Sequence, residues 1–155
     1  MAPENKYEQA LDLYERRQYQ EAFIMFERLA EKGHGDACSL LAVMYGAGHG
    51  VEYDFEKSRA WDLRAIELGQ TTSIFNLAVS YRSRGDAREA RKWFETAAAN
   101  NDGEAMLELA KLIYVSDFEL TLVIQLLESA MNCSHISQDG REEAESLLGQ
   151  IRNRV

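Results

Sequence analysis

The side chains able to do chemistry are few and scattered. His34, His49 and His135 supply imidazoles, and Cys38 and Cys133 supply thiols. A zinc cage closes from short, paired ligand spacings. These five residues offer no Cys-x-x-Cys pair and lack that spacing, so no metal site is expected. The two thiols lie about 95 residues apart, too few for a disulfide framework, and read as buried free thiols in a reducing cytosol. The run Gly46-x-Gly48-x-Gly50 could cradle a phosphate if a strand preceded it and a helix followed at the proper spacing. Here the preceding residues, Leu40, Leu41, Ala42, Met44 and Tyr45, read as a helix, which argues against that use. No Gly-x-Ser-x-Gly, His-Glu-x-x-His or paired-carboxylate arrangement stands out. Aspartate and glutamate are plentiful but spread over helix faces, where solvation is their ordinary role. The chain is therefore expected to be no enzyme and to hold no cofactor.

The elements that would position any site are announced by a column of alanines. Ala10, Ala42, Ala78 and Ala110 follow one another at 32, 36 and 32 residues, and Gly33, Gly69, Asn101 and Cys133 follow at 36, 32 and 32. A period in this range marks stacked supersecondary units. The predicted hairpins cover about 5–33, 36–69, 72–101 and 103–133, each with apolar residues at helical spacing. Asp54 reads as an N-cap, and Asp86 with Glu89 and Ser116 with Glu119 read as capping boxes. A last helix, 139–153, begins at Asp139 with Glu142 at the box position. It carries Ala144, Leu147, Leu148, Ile151 and Val155 on one stripe, and reads as a lid for the array's apolar flank. Small residues let the paired helices approach, while Tyr45, Tyr81, Trp61 and Trp93 are expected to fill the space beside them. The expected class is all-α: a right-handed α-α superhelix, or short solenoid, of four helical hairpins plus a C-terminal capping helix, in one domain over 1–155.

Bulk properties agree. Hydrophobic residues make up 46% of the 155 and charged residues 28%, a globular balance. The single proline, Pro3, suits a chain that is helical almost throughout. No apolar run approaches the length of a membrane span, and Met1 to Lys6 lack the basic start and apolar stretch of a secretory signal. A net charge of −9 opposes general binding to nucleic acid or acidic membrane and would draw a basic partner inward.

One segment carries a specific likeness. Leu41-Ala42-x-x-Tyr45-x-x-Gly48-x-Gly50-Val51-x-x-Asp54-x-x-Lys57-Ser58-x-x-Trp61-x-x-x-Ala65-Ile66-x-x-Gly69 resembles one complete Sel-one-like repeat, a relative of the tetratricopeptide repeat. Ala42 stands where glycine is usual, and Ser58 where alanine is usual. The third unit keeps Leu77-Ala78-x-x-Tyr81 and Ala90-x-x-Trp93-x-x-x-Ala97-Ala98 but has a connection four residues shorter. The first is similar to a plain tetratricopeptide hairpin through Ala10-x-x-x-Tyr14 and Tyr19-x-x-Ala22-x-x-x-Phe26. The fourth retains the small residues without a tryptophan. The resemblance implies a mostly non-catalytic protein-binding scaffold. The paired cysteines of some secreted bacterial members are absent here, which supports a cytoplasmic reading.

In such arrays the first helices line the concave face. The positions two before and two after each alanine give Glu8 and Asp12, Leu40 and Met44, Asn76 and Ser80, then Glu108 and Leu112. As a set they describe an acidic entrance, an apolar midsection and a mixed far end, suited to a basic, partly apolar segment of another protein. The expected role is a bacterial cytosolic adaptor or inhibitor. Its sharpest form is an immunity protein against a basic, nuclease-like toxin. The alternatives are a repeat-scaffold hydrolase, for which no converging nucleophile and base are found, and a self-associating structural module.

Overall fold

The computed structural model describes residues 5–116 and 119–153, and places nine helices among them. In chain order these are α1 Lys6–Glu15, α2 Tyr19–Glu31, α3 Gly35–Ala47, α4 Phe55–Glu67, α5 Thr72–Ser83, α6 Ala87–Ala99, α7 Gly103–Ser116, α8 Leu120–Asn132 and α9 Gln138–Arg152. Their pairing in sequence follows the predicted hairpins closely, and the last helix follows the expected cap. Among the described residues no helix is long and apolar enough to cross a membrane. Pro3, Val155 and most of the N-terminal segment read above lie outside the described residues.

The alanine column is buried at every step, with Ala10, Ala78 and Ala110 at 0% exposure and Ala42 at 1%. That is the burial expected where small side chains let backbones close up. The chain divides into two compact units, Met1–Ser80 and Tyr81–Val155, with the division inside α5.

In the first unit, Ala10, Ala22, Phe26, Ala30, Ala37, Cys38, Leu41, Met44 and Ala65 form the core. Phe26 meets the edges of Tyr7 and Tyr14 at ring separations of 5.8 and 6.4 Å. Helix α3 buries seven of its residues and has almost no polar face, the pattern of a helix enclosed on several sides. It packs on both α2 and α4. The two departures from the repeat pattern touch each other: the buried Ser58 hydroxyl of α4 donates to the Ala42 carbonyl of α3 at 2.8 Å.

In the second unit, α7 packs on α6 and α8, and α9 lies on α8 and α7. Phe94, Leu107, Leu109, Ile113, Val123 and Leu127 fill its interior. Ala144, Leu148 and Ile151 are the buried stripe of α9, with Leu147 half-buried beside them. The lid helix thus covers the apolar flank that α7 and α8 would otherwise expose.

The second helix of each of the first three hairpins ends by one device, which also closes α1, α3 and α5 at Arg17, Gly48 and Gly85. Gly33, Gly69 and Asn101 have φ of 83°, 90° and 61°. Each lets the next amide turn back onto the helix, as His34 N–H reaches Leu29 O at 3.1 Å, Gln70 N–H Ala65 O at 2.9 Å and Asp102 N–H Ala97 O at 3.3 Å. Cys133 breaks the series: it is extended, and the Arg141 guanidinium donates to the carbonyls of Met131 and Cys133 instead.

Three expectations need correction. Ser116 is the last residue of α7, and Glu119, without a side-chain cap bond, holds the N-cap place of α8 that was expected of Ser116. The N-cap of α9 is Ser137, whose hydroxyl accepts from Gly140 N–H at 2.9 Å; Asp139 sits in the first turn. Trp61, Tyr81 and Trp93 are only half-buried, while Tyr45 is buried. Asp86 does cap α6, accepting from Glu89 N–H at 3.1 Å. Its own amide is taken by the Tyr81 carbonyl, and the Glu89 carboxylate pairs with Lys92.

Candidate functional site

The positions singled out on the first helices fall into different surroundings. Glu8 is exposed in the first turn of α1, where a carboxylate also favours the helix dipole. Asp12 is exposed one turn on and pairs with Arg16 at 3.1 Å. Leu40 is half-buried and packs against the core of the first unit. Met44 has no exposed surface at all. It belongs to that core, because α3 is enclosed on both its α2 and α4 sides and the methionine faces inward. Asn76 and Ser80, on α5, are half-buried. The first unit therefore offers Glu8, Asp12, Leu40, Asn76 and Ser80 at positions with some access, and withholds Met44.

Glu108 and Leu112, on α7, belong to the second unit. The Glu108 side chain is 14% exposed and accepts from Arg82 and, at 2.8 Å, from Lys111. Lys111 in turn reaches Glu143 of α9 at 2.9 Å. Glu108 is thus a member of an ion-pair network and presents little net charge. Leu112 is half-buried.

The three histidines serve the fold. His34 Nδ1 accepts from Ala37 N–H at 3.4 Å at the start of α3, and its ring stacks on Tyr7 at 4.7 Å. His49 shares a 2.9 Å hydrogen bond with the Tyr14 hydroxyl and stacks on Tyr19 at 4.4 Å. His135 lies 3.2 Å from the Ser134 hydroxyl and 3.4 Å from the Asn101 amide. Among the described residues no group of three or more His, Cys, Asp or Glu side chains could hold a metal ion. The glycine run turns the chain between α3 and α4. Gly48 caps α3 in the left-handed region, and Gly50 brings the connection against the Tyr19 backbone, where a Cβ would fall 2.5 Å from the carbonyl.

One polar group escaped the sequence reading. Asp62, on α4, is 1% exposed, and its Oδ1 has no hydrogen-bond partner. Burial pushes its carboxyl up to about 7, against a smaller opposing effect of the Ser73 hydroxyl. Ser73 is itself 2.8 Å from the Ser39 hydroxyl. The signal was available: counting seven residues back from the left-handed residues Gly33, Gly69 and Asn101 gives Phe26, Asp62 and Phe94. Two of the three are fully buried aromatics.

Comparison with known proteins bears on this arrangement. A family model described as Sel1 repeat matches residues 7–34, 35–70 and 72–102. The matched windows hold α1 with α2, α3 with α4, and α5 with α6. A search of the curated proteins finds no match. Among solved structures, the chain is similar to a Sel1 repeat protein from Oxalobacter formigenes, at 24% identity and a TM-score of 0.74, over 96% of this chain and 59% of that one. It is also similar to a protective antigen present in uropathogenic Escherichia coli strains, described as displaying an SLR fold. That match has 21% identity and a TM-score of 0.76, over 97% of this chain and 33% of that one. The chain thus spans less than two thirds of either protein, and at these identities the likeness is one of fold.

Proposed function

The chain belongs to the Sel1 repeat family, and from that premise we propose that it captures another protein on the first helices of its repeats. The observation that carries this reading is the family match across three successive hairpins, a scaffold type that serves protein–protein interaction. The contact is assigned to Glu8, Asp12, Leu40, Asn76 and Ser80 of the first unit, with Glu108 and Leu112 holding the corresponding places on α7 in the second. Exposed carboxylates on α1 and a half-buried leucine on α3 suit a basic segment with apolar side chains. The net charge of −9 supports the same partner.

At finer grain, the role is that of a bacterial cytosolic adaptor or inhibitor, and its sharpest form is an immunity protein that neutralises a basic toxin. Nucleic acid and membrane are poor partners for so acidic a surface. The test is affinity capture from the native host read by mass spectrometry, followed by reconstitution of the pair. Charge reversal by E8K with D12K is expected to slow association about tenfold or more. Unchanged association would exclude the α1 face as the contact. A captured enzyme whose activity is blocked in the complex supports the inhibitor role; an active one reduces the role to that of an adaptor.

A further inference from the structure

We infer that the side chains one place after the alanines, Leu11, Val43 and Val79, form an apolar lane across α1, α3 and α5 of the first unit, and that the lane seats a basic amphipathic helix of the partner. This rests on the reading above, that the first helices hold the partner, and specifies the partner's chemistry. The three helices form a row. Tyr7, near the start of α1, stacks on His34, the N-cap of α3; Tyr14, near the end of α1, shares a hydrogen bond with His49, just past the end of α3. The two helices therefore run side by side in the same direction. The starts of α3 and α5 also lie together: the Ser39 and Ser73 hydroxyls are 2.8 Å apart, and a Cβ on Gly35 would fall 2.8 Å from the Gln70 side chain.

Helix α3, in the middle of the row, shows what the row leaves uncovered. Its buried residues leave one side, with Asp36, Leu40, Val43, Gly46 and Ala47 at helical spacing. That side is apolar beyond its first turn. Val43 is 37% exposed, unusual for a large hydrophobic residue among those described. The same place holds Leu11 on α1 and Val79 on α5, both half-buried. In the second unit it falls to Lys111, which pairs with Glu108 and Glu143. The apolar lane is thus a property of the first unit.

Charge and spacing name the occupant. Glu8 and Glu15 on α1 and Asp36 on α3 are exposed and enter no ion pair among the described residues. Helix α3 and residues 72–80 of α5 carry no lysine or arginine. Such a row attracts a cationic segment and repels an acidic one. Neighbouring helices pack about 10 Å apart, so the lane offers an apolar seat at about that interval. A partner helix returns a side chain to one face every seventh residue, about 10.5 Å along its axis. A β-strand covers the same distance in about three residues, and an odd step turns the side chain to the opposite face. The match is to a helix with lysine or arginine around a line of apolar residues seven apart.

The probe is a synthetic lysine–alanine helix of about 18 residues with leucine at every seventh place. A second peptide has the same composition with its leucines scattered around the helix, and a third keeps the pattern but carries two central prolines. Binding to the full chain is read by fluorescence anisotropy at low salt. The patterned peptide is expected to bind about tenfold more tightly than the scattered one, and the proline peptide no better than the scattered one. V43K should erase that preference, and the isosteric V43T should reduce it if the lysine variant folds poorly. I24K, at an exposed apolar residue of α2 outside the row, should leave it intact. Equal binding of the patterned and scattered peptides, a preference that survives both Val43 variants, or one lost equally in I24K would overturn the lane. Full binding by the proline peptide would overturn a helix as its occupant. Failure of every peptide to bind would count against the acidic face itself, and so against the reading on which the lane rests. Binding without preference removes the lane alone and leaves that reading standing.

Discussion

Adjacent residues on a helix point about a third of a turn apart, and α6 buries one line, Ala90, Phe94 and Ala97, from which Trp93 is turned aside. Phe94 has no exposed surface, and the Arg82 guanidinium sits 5.5 Å from its ring centre; Trp93 is half-buried. Phe94→Ala is therefore expected to cost about 3–5 kcal/mol, a large part of the roughly 5–15 kcal/mol a domain possesses. Trp93→Ala should cost distinctly less, since part of its ring is already in water. Chemical denaturation of the two variants checks the order, and equal losses would contradict the burial assignment. The tryptophans drew attention because the repeat pattern names them. What identifies the deeper position is register: Phe26 and Phe94 stand at one distance from the left-handed residue that ends their helix, and that distance also lands on Asp62. Read by residue type alone, an aspartate after a tryptophan looks like one more solvated acid. Only the repeat alignment exposes it as a core position filled against type.

The elements themselves were legible where local chemistry decides them. Gly33 and Gly69 end α2 and α4 because glycine enters the left-handed region without a Cβ penalty, and Asn101 does the same at α6 as the next most tolerant residue. The misread ends are those settled by tertiary contacts. Cys133 is extended instead, and Arg141, eight residues on, donates to the carbonyls of Met131 and Cys133. Ser137 outcompetes Asp139 as the cap of α9, and Glu104 of α7 accepts from the Ser137 amide at 2.8 Å, fixing that start from another helix. The glycine connection allows a test at this scale. Gly69→Ala meets nothing within 4 Å, so it carries only the left-handed penalty of about 1–2 kcal/mol. Gly50→Ala carries that penalty and also drives a Cβ to 2.5 Å from the Tyr19 carbonyl, where backbone must move. It should lower the unfolding midpoint in urea well beyond Gly69→Ala and disturb the His49 stack on Tyr19. Similar midpoints for the two variants would mean that the connection is not seated on the first hairpin as described.

For the whole molecule, the scaffold was far more legible than its surface. Periodicity and small residues dictate hairpins whatever they bind. A contact face depends on which side chains neighbouring helices leave uncovered, and a count of two positions either side of an alanine cannot see that. Met44 was sealed by α2 and α4, and Glu108 was neutralised by Arg82 and Lys111, while Glu8 and Asp12 stayed exposed. What survives from the expected face is mainly the acidity, and acidity makes a distinction between modes of association. A chain of net charge −9 meeting a basic partner is drawn in by long-range attraction, which salt screens over a Debye length of about 10 Å at 0.1 M. Two copies of the same chain repel each other, and salt relieves that repulsion. Raising ionic strength should thus slow capture of the isolated partner severalfold, with dissociation changing much less. If the chain instead works as a self-associating module, light scattering should show assembly increasing over the same salt series. Stopped-flow association and light scattering on one set of buffers separate the two. A partner association rate indifferent to salt would remove electrostatic capture as the basis of binding, whatever face is used.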